Sequence, residues 1–189
     1  MANSAESELD YGPLACLIGT WSGSDGTDVA PEPDSTERSP FYEVLTIEAA
    51  GDVDNADEQE LMILRYHQQV FRKSNDKQFH DQVGYWLWCK ASGTIMQSVT
   101  IPRGVTLLAG GTASVDGDTT TLEVAARDGD PDWGIAQSPF MRDKARTLGF
   151  THKLTVQGGS LHYEETTLLD IYDQHNFEHT DCNTLIRQS

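Results

Sequence analysis

The chain has 189 residues, enough for one domain with a core of its own. Its 30 acidic residues against 13 basic ones give a net charge of −17, which argues against nucleic acid and anionic membrane surfaces as partners, since both need clustered lysine and arginine. No apolar run reaches the length of a membrane span, and the acidic start MANSAESELD lacks the regions of a secretory signal, so the expectation is a soluble cytoplasmic protein.

Residues 1–10 read as a flexible polar tail and 11–189 as a single domain. After Gly12-Pro13 the apolar run Leu14-Ala15-Cys16-Leu17-Ile18 reads as one helical turn, with proline at its start. Gly19 to Gly26, around Trp21, reads as a first strand. Asp28 to Pro40, with Pro31, Pro33 and Pro40 among acids and hydroxyls, reads as a loop. From Phe41 the pattern has period two: Glu43–Glu48, Leu61–Phe71, Phe79–Lys90 and Thr94–Ile101 are expected strands. Val105–Ala109 and Thr112–Val115 follow, separated by Gly110-Gly111, and then Thr119–Ala126. Arg127 to Lys144 breaks the rhythm with Asp128-Gly129-Asp130-Pro131-Asp132 and Ser138-Pro139, and reads as a long loop with a helical turn near Arg142–Arg146. Thr147–Val156, Leu161–Ile171 and Phe177–Arg187 complete about ten strands at hairpin spacing, the mark of a sandwich or an up-and-down barrel.

Few residues carry recognisable chemistry. Cys16, Cys89 and Cys182 are odd in number and far apart, which excludes a zinc knuckle or a CxxC site and predicts three reduced thiols. His67 and His80 sit on neighbouring expected strands without a third ligand, and His152 and His162 on another hairpin, so structural roles are expected for all four. Trp21 is expected to plug one end of a barrel. The few bases, Arg65, Arg103 and Lys153 among them, either face outward or pair with carboxylates. No GxSxG, P-loop, HExxH or paired-carboxylate motif is present.

Four segments together resemble the nitrobindin family, haem-binding relatives of the fatty-acid-binding and lipocalin-like barrels. They are Leu17-Ile18-Gly19-Thr20-Trp21-Ser22-Gly23, the pair Leu64–Gln68 and Phe79–Trp86, Val105–Gly111, and a last strand carrying a histidine. The resemblance implies an all-β fold: a ten-stranded antiparallel up-and-down β-barrel with a short N-terminal helical turn. It implies haem b held by a histidine of the last strand, with nitric oxide binding or peroxynitrite isomerisation at the open position, and it makes a homodimer an expected assembly.

By position the iron ligand would be His179, with His175 as the alternative. Phe177, Asp181, Asn183 and Leu185 share the strand face of His179, and with Trp21 they complete the expected ligand-binding set. The strand departs from the family in its polarity, His179-Thr180-Asp181-Cys182-Asn183-Thr184. Two readings therefore stand: a haem barrel, and a barrel without haem that holds a fatty acid-like or other small ligand.

Overall fold

The period-two pattern becomes a barrel wall whose alternate residues point inward. Along Phe41–Ile47, the side chains of Phe41, Glu43, Leu45 and Ile47 are buried, while Tyr42, Val44 and Thr46 between them are partly exposed. The computed structural model describes residues 9–188. Of the expected tail, residues 1–8 lie outside that range, and Asp10 accepts hydrogen bonds from Lys90 Nζ at 2.8 Å and the Gly12 amide at 3.0 Å.

A 3-10 turn, Gly12–Leu17, precedes β1 (Gly19–Glu32), β2 (Ser35–Asn55), β3 (Gln59–Arg72), β4 (Gln78–Trp88), β5 (Ile95–Ile101), β6 (Val105–Asp116) and β7 (Thr119–Arg127). A three-residue β8 (Ile135–Gln137) and a helix α1 (Pro139–Lys144) lead to β9 (Ala145–Gln157), β10 (Ser160–Ile171) and β11 (Gln174–Arg187). Each long strand pairs antiparallel with the next, β7 pairs with β9, and β11 returns to β1. Ten strands thus close an up-and-down barrel without a free edge. The short β8 lies outside this ring and pairs with β6.

One end is plugged. Leu14 and Leu17 of the 3-10 turn pack with Trp21, Leu64, Trp86 and Leu185 in the apolar core. Trp21 is fully buried, and its indole N–H donates to the Leu17 carbonyl at 2.8 Å. The Arg187 guanidinium lies 4.2 Å over the Trp21 ring and donates to the carbonyls of Cys16 and Ile18. The last strand therefore both closes the wall and ties down the plug.

Two expectations are corrected. Asp28–Pro40 is not a loop: it is the end of β1, a turn at Pro33-Asp34, and the start of β2. Pro31 is tolerated because β1 pairs with β11 only as far as Val29, so beyond it the strand is hydrogen-bonded on one side alone. Gly110-Gly111 does not separate two strands but lies inside β6. A Cβ on Gly110 would meet the Trp133 ring at 2.1 Å, and one on Gly111 the Glu123 carbonyl oxygen at 1.8 Å, so these glycines mark close approach.

The excursion from Arg127 to Lys144 carries the expected helical turn a few residues early, as α1. Ser138 caps it by accepting the Met141 amide at 3.3 Å, and Pro139 opens it. Phe140 and Met141 of this helix reach the mouth of an internal cavity at the end of the barrel opposite the plug. No helix among the described residues is long and apolar enough to cross a membrane.

Candidate functional site

The cavity measures about 470 Å³. Its outer walls are largely apolar, with Val70, Ile101, Val105 and Leu169 beside Phe140 and Met141. Arg72 and Arg103 also line it. Its deeper part is polar, because several inward positions of the strands carry acids, amides and histidines.

Strand register explains the arrangement. Asp28 on β1 sits directly opposite Asp181 on β11, Asp181 opposite Glu165 on β10, and Glu165 opposite His152 on β9. Residues opposed in this way point to the same face. His179 lies two residues before Asp181 and shares its face. Asp28, Glu165, His179 and Asp181 all line the cavity. His179 Nε2 lies 2.7 Å from Asp28 Oδ1 and 3.5 Å from Asp181 Oδ2. Burial pushes the His179 imidazole down, but the Asp28 hydrogen bond and the charges of Asp181 and Asp28 outweigh it, and its pKa is raised. Burial holds the Asp181 carboxyl well above the usual range. Burial, with the charge of Glu43 beside it, pushes Glu165 up to about 8.

Two further clusters support this floor. Glu43, 1 % exposed, accepts from Gln68 Nε2 at 2.6 Å, Asn183 Nδ2 at 2.7 Å and Tyr163 Oη at 2.8 Å. Beside it, Tyr66 Oη donates to the Ser98 carbonyl and accepts from the amides of Gln82 and Gln97. Gln97 Oε1 then lies 2.9 Å from His152 Nδ1 and accepts a hydrogen bond from its N–H. Burial pushes His152 down to about 3, so this ring is neutral.

The expected site residues are thus distributed over several environments. His179 and Asp181 line the cavity. Asn183 is buried beneath them against Glu43. Leu185 and Trp21 lie in the core at the plugged end. Phe177 is half-buried on β11 and is not among the residues lining the cavity. His175 is exposed, with Nδ1 3.4 Å from Asp170. Of the remaining histidines, His80 lines the cavity and bonds Gln82, whereas His67 faces outward onto Asp81 and His162 onto Thr184. Arg65 and Lys153 pair outside with Glu48 and Glu123. Cys16, Cys89 and Cys182 are unpaired thiols.

Sequence reasoning missed Asp28, Glu43 and Glu165. Two had a signal in the period-two pattern: Glu43 is in phase with Phe41 and Leu45, and Glu165 with Leu161 and Tyr163.

The molecule combines a closed ten-stranded wall, a plugged end and an inward histidine on the last strand. The description "THAP4-like, heme-binding beta-barrel domain" matches residues 10–187. The chain belongs to the THAP4-like haem-binding β-barrel family. A crystal structure of Rv2717c from M. tuberculosis is similar to it, with a TM-score of 0.68 over 93% of this chain and 95% of that one, at 22% identity. That likeness shows the fold. No curated protein matches the chain.

A THAP4-like barrel holds a small ligand, and haem is what the family name specifies. Apolar walls and two arginines suit a macrocycle with propionates, but the imidazole does not. Haem iron takes the free lone pair of a ring nitrogen. A carboxyl oxygen 2.7 Å from His179 Nε2 either accepts a proton from that nitrogen or donates one to it. In both cases the lone pair is used, and two carboxyl groups stand where the macrocycle would approach. With Nε2 engaged by Asp28 and Asp181 beside it, the surroundings of His179 are unfavourable to an axially ligated haem.

Proposed function

We propose that this barrel is a small-ligand-binding protein whose ligand is gripped by the histidine–carboxyl floor of its cavity, and that haem ligation by the last strand has been lost. The observation that carries this reading is the engagement of His179 Nε2 by Asp28 at 2.7 Å, with Asp181 at 3.5 Å. The helix α1 at the mouth narrows the opening with Phe140 and Met141, which favours a compact ligand over a planar macrocycle with a protruding edge.

A second feature supports an occupant. Arg72 lines the cavity, and its Nε is buried with no hydrogen-bond partner among the described residues. A buried N–H left unpaired costs about 1–3 kcal/mol, so an acceptor on the ligand would recover that energy. Such a ligand would combine an acceptor group near Arg72, an apolar middle, and a cationic or proton-donating end at Asp28, Asp181 and Glu165. A simple fatty acid supplies the first two and not the third.

Titration of apo-protein with hemin, followed in the visible spectrum, tests this. The expected result is absorption that follows free hemin, unchanged by His179→Ala. A saturable Soret band at one equivalent that disappears in His179→Ala would overturn the reading and restore haem with His179 as its ligand.

A further inference from the structure

The three cavity carboxyls lie in one row across three adjacent strands, Asp28–Asp181–Glu165, with His179 on the same face. Carboxyl groups directly opposed on a sheet crowd one another, and here two such pairs share Asp181. Hydrogen bonding from His179 reaches Asp28 and leaves Glu165 unserved. Glu165 accepts no hydrogen bond among the described residues, and the basic group nearest to it, His152 Nδ1 at 3.9 Å, belongs to a ring kept neutral by burial. The cationic residues of the cavity, Arg72 and Arg103, form no ion pair with any of the three. Arg103 donates to the Phe79 carbonyl, and Arg72 lies over the Phe79 ring.

The ligand atoms of Asp28, His179 and Asp181 all lie within 4.8 Å of one another. One imidazole nitrogen with two carboxylate oxygens is a donor set for a first-row divalent cation of intermediate softness; a hard cation such as calcium prefers oxygens alone. Glu165, opposite Asp181 on the next strand, lies outside that trio and serves as the acceptor that orients a bound water. A bare ion differs from haem in the respect that matters here. It takes the place of the proton shared between His179 and Asp28 and keeps the carboxylates as ligands, so no macrocycle has to pass them.

We propose that Asp28, His179 and Asp181, assisted by Glu165, form a binding site for one divalent transition cation, with zinc as the type, whose open position faces the cavity. The site rests on the reading of the barrel as a non-haem ligand binder and names the cationic part of what it holds. Three protein ligands and an open fourth position are the pattern of a centre that binds a further molecule on the metal. The apolar walls and Arg72 lie on the side from which that molecule would come.

The test uses the full chain, stripped with a chelator and titrated with Zn²⁺ by calorimetry and with Co²⁺ by visible absorption. One saturable equivalent is expected, with a rise in melting temperature. Asp28→Asn and Asp181→Asn each keep the side-chain shape and should weaken Zn²⁺ by at least about 100-fold, above the range typical of lost outer-shell partners. His175→Ala, on the exposed surface, should leave affinity unchanged. No saturable site in folded wild-type protein would overturn the proposal, as would a site lost in His175→Ala and kept in Asp181→Asn. Should the asparagine variants fail to fold, the wild type decides: on adding Zn²⁺ the ¹⁵N resonances of His179 move and those of His67, His162 and His175 do not. Movement of the surface histidines alone would overturn the assignment. The hemin titration separates the two failures, because absence of both zinc and haem binding removes the metal and leaves the non-haem reading standing.

Discussion

Replacing Glu43 by leucine should destabilise the fold by about 3–9 kcal/mol, at one to three kcal/mol for each donor left without an acceptor. Three donors converge on this carboxyl: Gln68 and Asn183 through amide N–H groups and Tyr163 through its hydroxyl. They come from β3, β11 and β10, while Glu43 belongs to β2, so the interaction ties four strands of the wall at one level. Leucine fills the space and satisfies none of the donors. The loss is comparable with the total stability of an ordinary domain, roughly 5–15 kcal/mol. Glutamine keeps one acceptor oxygen and should cost less, about 1–2 kcal/mol, because its amide then meets another donor. Urea denaturation of the two variants checks the order. A cost for leucine below that for glutamine would show that the cluster is not held by hydrogen bonds to Glu43.

Acid should weaken the fold through His152, by about 3 kcal/mol between pH 6.5 and pH 4, at 1.36 kcal/mol per unit of depression. The ring is 8 % exposed and burial lowers it to about 3. Unfolded, the imidazole returns to about 6.5. Below that pH the unfolded chain binds a proton that the folded chain refuses, so this contribution is complete above pH 6.5 and is lost as pH falls toward 3. Glu165, facing His152 at 3.9 Å, acts on the other side. Its folded value of about 8 lies above the unfolded one, so its contribution is complete below about pH 4.5 and is lost as pH rises toward 8. Stability from this pair therefore peaks in mildly acidic solution. Denaturation midpoints at several pH values, compared between wild type and His152→Gln, isolate the first limb. An unchanged acid limb in His152→Gln would contradict the assignment.

The barrel was legible because its period-two pattern runs through strand after strand, and turns such as Asp116-Gly117-Asp118 mark the hairpins. The hidden part was of two kinds. Prolines between Asp28 and Pro40 read as a loop, since a sequence does not reveal that β1 outruns its neighbour β11 at Val29. Asp28 disappeared into that loop, and its partner His179 lies 151 residues away. Glu43, Glu165 and His152 were hidden differently. Each occupies an inward position in phase with buried apolar neighbours, as His152 does between Phe150 and Leu154. A charged residue on a strand ordinarily faces water, and that prior outweighed the phase. The polarity of the last strand was visible from the start, because Asp181 and Asn183 are unsuitable walls for a macrocycle. The register sets Asp181 between Asp28 and Glu165, and Asn183 against Glu43, neither of which the sequence displays.

¹⁵N spectroscopy of the histidine rings in metal-free protein reads out whether His179 Nε2 is committed to carboxyl groups. With its pKa raised by Asp28 and Asp181, His179 should be more than half protonated at pH 6.5, with both ring nitrogens in the protonated range. A neutral His179 at that pH, with the free-lone-pair signature on Nε2, would contradict the account and return this nitrogen to the service of haem iron.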